Sequence, residues 1–342
     1  MTNADIDKEQ GAFLVVVIPC LNEENTVGSV IAGVPRDIEG LGGVRIVVLD
    51  DGSTDATAER AREAGAEVVS HVSNQGLGAT FRDAVQFALS SQAEIMVHID
   101  GDGQFDPADI PKLVEPVVRR EADMVTASRF LDRDLMPDMP VVKRWGNRGV
   151  AFIVRLLSGK RFRDVSCGFR AFSRESLLRM NLFGSFTYTQ ESFLDLIFKG
   201  LTILEVPVKV RGVREYGTSR VAASIPRYAF QSLKIMLRAF ISYKPFRFFF
   251  AISATCLVIG LGLLAFLTWH FLTTGKFSPH IWAGFVGGSF CFVGVSTLVT
   301  GLVGDMLVRI RLNQENMLYY MKSLRLTDDK FRMRHGRRRT DR

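Results

Sequence analysis

The sequence has few of the residues on which disulfide and zinc frameworks depend. Its 342 residues include only four cysteines and five histidines. The cysteines share no metal-ligand spacing, and two of them lie in apolar stretches: Cys20, Cys167, Cys256 and Cys291. This usage predicts a reducing compartment without a disulfide or zinc framework. The first ten residues are polar and mixed in charge, so they also predict no secretory signal peptide.

Outside its last residues the chain has almost no surplus of charge of either sign. The formal net charge is +7, and residues 330–342 alone contain seven basic residues and one acid. A nucleic-acid enzyme is expected to spread basic residues along a groove, so we predict no nucleic-acid partner. A basic tail that follows a hydrophobic region instead favours attraction to anionic lipid headgroups.

Two common nucleotide-binding signatures are absent. The turn at residues 74–79 has Gly76 and Gly78, but no third glycine follows at the dinucleotide spacing, and there is no Walker lysine. The two glycines would still let backbone amides approach an anion at a helix start, although a plain loop explains them about as well. No histidine is predicted at a strand end that faces the motifs, and His98 is expected to be a satisfied core residue.

Apolar runs alternate with helix-like segments through the first 130 residues. Strands are predicted at residues 13–18, 44–49, 68–71, 95–99 and 124–127, with helices between them. This alternation predicts an α/β fold with a doubly wound, mostly parallel sheet. Ligands of such sheets bind beyond the carboxyl ends of the strands.

A polar cluster follows four of the predicted strands. Asp100 and Asp102 stand in a glycine turn, and their hard oxygen ligands suit Mg²⁺ or Mn²⁺ held against a phosphate. An ordinary Asp-Gly turn is the alternative for this pair alone. The other clusters are Asn22-Glu23, Asp50-Asp51 and Ser128-Arg129. Because all four are expected at the same edge of the sheet, they favour one binding site.

Two long uncharged segments follow the predicted sheet. Residues 248–272 and 281–304 carry no formal charge over 25 and 24 residues, whereas about 20 residues cross a bilayer core. Basic residues crowd the outer ends of this pair, and Lys276 is the only basic residue in its connection. The positive-inside rule therefore predicts a protein of the cytoplasmic (inner) membrane with both termini in the cytoplasm. Gly284 and Gly288 form a Gly-x-x-x-Gly pattern that permits close helix packing, including packing between two copies of the chain.

Four segments are predicted from these patterns. Residues 1–221 form a cytoplasmic catalytic domain, and residues 222–247 form amphipathic juxtamembrane helices in which basic residues alternate with apolar stretches. Residues 248–308 form a transmembrane hairpin, and residues 309–342 form a basic cytoplasmic tail.

Six motifs occur in an order that resembles glycosyltransferase family 2. They are Pro19 with Asn22-Glu23, Asp50-Asp51-Gly-Ser-Thr-Asp55, Asn74-x-Gly76-x-Gly78, Asp100-Gly-Asp102-Gly-Gln104, Ser128-Arg129 and Ser166-x-Gly168-Phe-Arg170. The subgroup that the chain most resembles is the polyprenyl-phosphate sugar synthases of the dolichyl-phosphate mannose synthase type. The resemblance covers roughly residues 14–220 and, in two-helix bacterial members, extends through the membrane segment. One departure is Asp83, where many relatives have glycine.

The resemblance implies a GT-A-like fold and a role for each motif residue. Asp100, Asp102 and Gln104 would hold Mg²⁺ or Mn²⁺ with the diphosphate of a nucleotide-diphosphate sugar. Arg129 would face the phosphate of a polyprenyl phosphate acceptor. The nucleotide pocket would be formed by Pro19, Asn22, Glu23, Asp50, Asp51 and Gly76, and further phosphate contacts would come from Arg170, Arg211 and Arg220.

The expected reaction is an inverting transfer of a sugar to the lipid phosphate. A phosphate is already an anion at neutral pH, so it needs no strong general base. Two alternatives stay open: a membrane glycosyltransferase that extends a polysaccharide or glycolipid, and a non-catalytic membrane scaffold. A polysaccharide-extending enzyme is expected to have a Gln-x-x-Arg-Trp segment, which this sequence lacks. A non-catalytic scaffold would be expected to lose Asp100 and Asp102, and both are present. Neither the sugar nor the choice between UDP and GDP follows from the sequence.

Overall fold

Seven strands form one sheet in the first part of the chain. The structure is a computed structural model that describes residues 12–132, 134–136, 141–182, 188–211 and 225–340. Its strands are β1 Ala12–Cys20, β2 Leu41–Asp50, β3 Glu67–Ser70, β4 Ile95–His98, β5 Met124–Ser128, β6 Arg170–Ser173 and β7 Ile203–Pro207. Their spatial order is β3-β2-β1-β4-β6-β5-β7. The five predicted strands are confirmed, and β6 and β7 were not predicted.

The sheet is parallel except at β6. This strand runs antiparallel to both β4 and β5, and its first residue, Arg170, pairs with His98 at the end of β4. The start of β6 therefore lies at the edge where the parallel strands end. The predicted mostly parallel α/β fold is confirmed. Strand order reverses between β1 and β4, which is where such sheets bind their ligands.

The central strand β1 is apolar because helices cover both faces of the sheet. Each residue from Leu14 to Ile18 is fully buried, as expected for a strand in the middle of a parallel sheet. Each such side chain contributes about 1.5–3 kcal/mol by burial. The helices in this part are α1 Val27–Gly33, α2 Thr57–Glu63, α3 Leu77–Ser90, α4 Ile110–Val118, α5 Val141–Ser158, α6 Arg174–Arg179 and α7 Thr189–Phe198.

Three helices make up the rest of the described chain. They are α8 Ile225–Tyr243, α9 Pro245–Thr274 and α10 Ile281–Thr340. Two of them, α9 and residues 281–326 of α10, are long and apolar enough to cross a membrane. The two predicted spans are therefore present as helices, and the predicted juxtamembrane segment is helical from Ile225.

Glycines bring α9 and α10 close together within the unit formed by residues 237–317. A Cβ at Gly260 would lie 2.8 Å from the backbone oxygen of Gly287, and Ser253 Oγ donates to the Gly294 carbonyl at 2.7 Å. Gly284 abuts Leu267, whereas a Cβ at Gly288 would meet nothing within 4 Å. The predicted Gly-x-x-x-Gly pattern therefore contributes only its first glycine to this packing.

The last helix continues past the predicted end of the transmembrane hairpin at residue 308. Helix α10 continues without interruption to Thr340, and residues from Leu318 onward belong to the same compact unit as the sheet. Lys322 Nζ donates to the carbonyl oxygens of Leu178 and Met180 at 3.3 and 3.2 Å, and Tyr319 donates to Glu175 at 2.9 Å. These polar contacts attach residues 319–322 of the predicted tail to α6.

Candidate active site

The loop after β1 is fastened to the loop after β2. Asn22 adopts a left-handed backbone conformation with φ of 54°. Its amide donates to Ser53 Oγ at 2.9 Å, and its side-chain oxygen accepts from the Thr54 amide at 2.8 Å. The Glu23 amide donates to Thr57 Oγ1 at 2.8 Å. The predicted nucleotide residues of these two loops therefore lie side by side, beyond the ends of neighbouring strands.

Asp50 and Asp51 are both almost fully buried at the end of β2. Asp50 accepts from the Ser53 amide at 2.9 Å and so closes its own turn. Asp51 accepts from the amides of Gln75 and Gly76 at 2.8 and 2.9 Å. Gly76 has φ of 89°, a conformation that glycine adopts without strain. The anion that approaches the Gly76 amide is thus the protein's own Asp51.

His71 corrects the expectation that no histidine faces the motifs. It directly follows β3, and its Nδ1 lies 2.8 Å from Asp51 Oδ1. Its Nε2 lies 3.0 Å from Oδ2 of Asp83 on α3. The sequence concealed this contact because the partners are 20 and 12 residues away, on different elements.

The turn after β4 is held from both sides. Asp102, almost fully buried, accepts the Gln104 amide at 3.0 Å. Thr26 Oγ1 donates to the Gly101 carbonyl at 2.7 Å, which joins this turn to the start of α1. A Cβ at Gly101 would lie 2.5 Å from Cys20 Sγ. Only glycine fits there, so the packing fixes the position of the Asp-Gly-Asp turn.

Gly168 leaves room for Asp100. A Cβ at this position would lie 3.0 Å from Asp100 Oδ2 and 3.3 Å from the Tyr188 hydroxyl. Gly168 stands just before β6, and that strand runs antiparallel to its neighbours, so the Ser166-x-Gly-Phe-Arg motif reaches the same edge as Asp100. The sequence contained this motif but gave no signal for the contact between Gly168 and Asp100.

Cys20 marks the point where the predicted clusters converge. Burial raises the pKa of its thiol well above the ordinary value. The nearby charges raise this pKa further, and they belong to Glu23, Asp50, Asp100 and Asp102. These charges act on the thiol from the loop after β1, the end of β2 and the loop after β4. Hydrogen bonds link the same three positions, because the Asp51 amide donates to the Cys20 carbonyl at 2.9 Å and Thr26 Oγ1 donates to the Gly101 carbonyl at 2.7 Å.

His98 lies under this edge as a core residue. It is fully buried, and its Nδ1 contacts the Tyr188 hydroxyl at 2.9 Å and the Gly168 carbonyl at 3.1 Å. Burial lowers the pKa of His98 to about 3, so the imidazole is neutral. Phe81 stacks on Tyr188 with ring centroids 3.8 Å apart. The predicted core placement is confirmed. The predicted full set of hydrogen bonds is not, because Nδ1 has partners whereas Nε2 has none.

Arg129 is held rigidly beside the site. Its Nε and one terminal nitrogen donate to the two oxygens of Asp164 at 2.6 and 2.9 Å, and the same nitrogen donates to Ser166 at 2.9 Å. Asp164 is fully buried. Burial alone would raise the pKa of this carboxyl, but the charge and hydrogen bonds of Arg129 bring it below its ordinary value. Such a two-pronged pair fixes the guanidinium in one orientation.

The other predicted phosphate ligands have different surroundings. Arg170 lies in the interior with no exposed surface and donates to Thr189, Ser192 and Val165 at 2.7–2.8 Å. This placement differs from an exposed phosphate contact, because protein oxygens surround the guanidinium. Arg211 is exposed. Arg220 lies outside the described residues.

Gln104 joins the turn that contains Asp100 and Asp102 to the segment that contains Arg211. Its side-chain nitrogen donates to the Arg211 carbonyl at 3.0 Å, and the Arg211 amide donates back to the Gln104 carbonyl at 3.0 Å. An isolated antiparallel bridge pairs Phe105 with Val210. The amide group of Gln104 therefore has a structural partner in addition to its predicted role at the metal.

The residues present suit a divalent cation that is shared with a diphosphate. Among the described residues, no group of three or more His, Cys, Asp or Glu side chains is arranged to hold a metal by itself. Mg²⁺ is commonly held by one or two carboxylates together with substrate phosphates, rather than by a complete protein cage. Asp100 and Asp102 fit that pattern, and the space that Gly168 leaves beside Asp100 is consistent with it.

Comparison with known proteins agrees with this geometry. The model of the family described as "Glycosyl transferase family 2" matches residues 15–180. A UDP-N-acetylglucosamine--dolichyl-phosphate N-acetylglucosaminyltransferase of Methanococcus voltae is 30% identical over 48% of this chain and 71% of its own. A dodecaprenyl-phosphate galacturonate synthase of Rhizobium johnstonii is 26% identical over 89% of this chain and 90% of its own.

A solved structure shows the same fold with its ligands bound. The glucosyl-3-phosphoglycerate synthase of Mycobacterium tuberculosis, in complex with Mn²⁺, UDP and glucosyl-3-phosphoglycerate, superposes with a TM-score of 0.55. It is 25% identical and covers 70% of this chain and 84% of its own. The same enzyme has been solved with Mg²⁺ and UDP.

The sheet, the paired carboxylates and these likenesses define a glycosyltransferase with the GT-A-like fold. The chain belongs to glycosyltransferase family 2. Its relatives include polyprenyl-phosphate sugar transferases, and its C-terminal part contains two helices able to span a membrane.

Proposed function

We propose that this enzyme transfers a sugar from a nucleotide-diphosphate sugar to a polyprenyl phosphate, with inversion at the anomeric carbon. The observation that carries the proposal is that hydrogen bonds join the loops after β1, β2 and β4, where Asn22, Asp51 and Asp100 lie, at the edge where strand order reverses between β1 and β4. A single chain joins this edge to two candidate membrane spans. A lipid acceptor accounts for both features, because a soluble acceptor would need no membrane segment.

The donor would lie across the crevice at the ends of β1, β2 and β4. The base and ribose would lie among the loops of Pro19, Asn22 and Glu23 on one side and Asp50 and Asp51 on the other. The described contacts already order these loops, since Asn22 is bonded to Ser53 and Thr54. A pocket formed in advance lowers the entropic cost of binding.

Asp100 and Asp102 would hold the cation together with the diphosphate, with Gln104 beside them. A bound Mg²⁺ or Mn²⁺ supplies positive charge where the nucleoside diphosphate leaves. The protein's own part is to keep the two carboxylates in place. Gly101 does so by packing on Cys20, and Gly168 does so by leaving space for Asp100.

The acceptor phosphate would be oriented by arginine. Arg129 is fixed by Asp164 and keeps about a fifth of its side chain exposed, so it can meet an anion at the surface of the site. Arg211 lies next to Gln104 in space and is exposed. Arg220 would add a further positive charge. The attacking phosphate oxygen is already ionised at neutral pH, so this reaction needs no strong general base.

The proposal is tested with the purified full-length chain in liposomes. Labelled UDP-glucose, UDP-N-acetylglucosamine and GDP-mannose are each supplied with undecaprenyl phosphate and Mn²⁺. We expect one donor to give a lipid-extractable product that mild acid cleaves to a single sugar. A parallel reaction contains 3-phosphoglycerate instead of the lipid. Two outcomes would contradict the proposed function. One is a product with 3-phosphoglycerate but none with the lipid, and the other is no product with any combination of donor and lipid.

A further inference from the structure

His71 connects two carboxylates at the rim of the nucleotide loops. Its Nδ1 lies 2.8 Å from Asp51 Oδ1, and its Nε2 lies 3.0 Å from Asp83 Oδ2. The imidazole is one-tenth exposed, Asp51 is equally enclosed, and Asp83 is 44% exposed. Both ring nitrogens therefore face carboxylate oxygens. Only the imidazolium has an N–H on each nitrogen, so only the protonated ring can donate to both.

Asp51 has nearly all of its hydrogen-bonding capacity occupied by the protein. Oδ1 accepts from His71 and from the Gln75 amide at 2.8 Å, and Oδ2 accepts from the Gly76 amide at 2.9 Å. An ionised carboxylate offers about four lone-pair sites. The three donors thus fix the carboxylate plane and leave one site on Oδ2. A single directed acceptor suits an N–H of the base or a hydroxyl of the ribose.

We propose that His71 and Asp83 are positioning residues for nucleotide binding: the imidazolium of His71, anchored by Asp83, holds Asp51 so that its remaining lone pair meets the base or ribose of the donor. This inference rests on the proposed function. It also explains why this chain has Asp83 where many relatives have glycine, because glycine has no side-chain oxygen to accept a hydrogen bond from Nε2.

The electrostatic surroundings favour the charged ring. Burial lowers the pKa of His71, but the hydrogen bonds and negative charges of Asp51 and Asp83 outweigh burial and raise it above the ordinary value of 6.5. Among the described residues, the charges that face the ring are Asp51 at the end of β2 and Asp83 on α3. At a pH above this raised pKa the neutral ring has only one N–H, so it can donate a hydrogen bond to only one of the two carboxylates. Nucleotide affinity should therefore fall as the pH rises through the His71 pKa.

The test measures donor binding to the full-length chain in detergent between about pH 5.5 and pH 8.5. The probes are UDP-glucose, UDP-N-acetylglucosamine and GDP-mannose with Mn²⁺, and the one that binds most tightly is used. A nucleotide sugar is preferred to UDP or GDP because its diphosphate has no terminal phosphate that titrates near neutral pH. In parallel, NMR of ¹³C-labelled histidine follows the protonation of His71, whose signal is assigned by its loss in His71→Gln.

Asp83→Asn keeps the size of the side chain and removes its charge, at a position exposed enough to tolerate the change. We expect it to lower the pH at which His71 titrates, to shift the pH dependence of donor affinity in the same direction, and to raise Kd about three- to tenfold at neutral pH. Glu67→Gln is the matched control. Glu67 is a similarly exposed carboxylate on β3 that pairs with Arg45, so this variant should change neither quantity.

The outcomes separate the two proposals. If the wild-type chain binds none of the three donors, the proposed function is overturned. If it binds a donor but Asp83→Asn leaves both the His71 titration and the affinity unchanged, the positioning role is overturned and the proposed function is not. The role is also overturned if the His71 titration shifts while the pH dependence of Kd does not follow it.

Discussion

Asp102 and Asp100 are positioned by different neighbours. Asp102 is almost fully buried and anchored by the Gln104 amide, and Asp100 lies against Gly168. The negative charge of Asp102 and the space beside Asp100 can therefore be tested separately. The first test substitutes Asp102, and the second substitutes Gly168.

Asp102→Asn should abolish sugar transfer while the protein stays folded. The change keeps the shape of the side chain but removes a negative charge that would hold the cation. We expect the transfer rate to fall by more than about a hundredfold. The rate is measured with the labelled donor and undecaprenyl phosphate, and folding is checked by circular dichroism. Retained activity in a folded variant would rule out the metal role of Asp102.

Gly168→Ala should impair both stability and transfer. Its new Cβ would lie 3.0 Å from Asp100 Oδ2 and 3.3 Å from the Tyr188 hydroxyl. Overpacking of this kind costs about 1–3 kcal/mol, and the displaced carboxylate should lower the rate further. Thermal unfolding and the transfer assay measure the two effects.

Gly28→Ala on α1 is the control for this substitution. A Cβ there meets nothing within 4 Å. Alanine should be neutral at this position or stabilise the helix by up to about 1 kcal/mol. Equal losses of activity in the two variants would mean that the space beside Asp100 has no special importance.

At the scale of elements, β6 decides the layout of the site. Antiparallel insertion between β4 and β5 places the residues just before β6, including Asp164 and Gly168, at the active edge. Asp164 then pairs with Arg129 at the end of β5. An all-parallel sheet would have put the start of this strand at the opposite edge.

The sequence predicted five of the seven strands and missed β6 and β7. The runs at β1, β2 and β4 are apolar and are followed within two residues by Asn22, Asp51 and Asp100, so both the strand and its end are visible. The four residues of β6, Arg-Ala-Phe-Ser, are too short and too polar at their ends to show a period. The pairs His71–Asp83 and Arg129–Asp164 join separate elements, so spacing along the chain could not reveal them.

The contact between the last helix and α6 is testable at the same scale. Lys322 binds the carbonyls of Leu178 and Met180 at the C-terminal end of α6, where a cation is favourable. Lys322→Met should leave these oxygens without their donor and lower the stability of the sheet domain by about 1–2 kcal/mol. Thermal unfolding in detergent measures the change. The exposed Lys160 provides the control, Lys160→Met, and equal effects of the two variants would contradict the contact.

The whole molecule is predicted to keep its catalytic domain on the cytoplasmic side. Lys276 lies in the short connection between α9 and α10, and basic residues are concentrated at the other ends of these helices. We expect Lys276→Cys to react with an impermeant maleimide in intact cells, because the positive-inside rule places the connection outside.

Lys160→Cys, at an exposed position of the sheet domain, should react only after the cells are permeabilised. The four natural cysteines give little background, since Cys20 and Cys167 are buried and Cys256 and Cys291 lie in the candidate spans. The reverse pattern of labelling would contradict the predicted topology and place the sheet domain outside the cytoplasm.

The position of β6 also has a consequence for how the enzyme is made. During synthesis the acidic turn of β4 emerges first, then β5 and α5, and only afterwards the segment with Gly168 that backs Asp100. Domains fold as units while the chain grows from its N-terminus. A nascent or prematurely terminated chain that ends before β6 would therefore contain every acidic motif and still lack a finished centre. Catalytic competence should appear late in translation, shortly before the membrane segments are made.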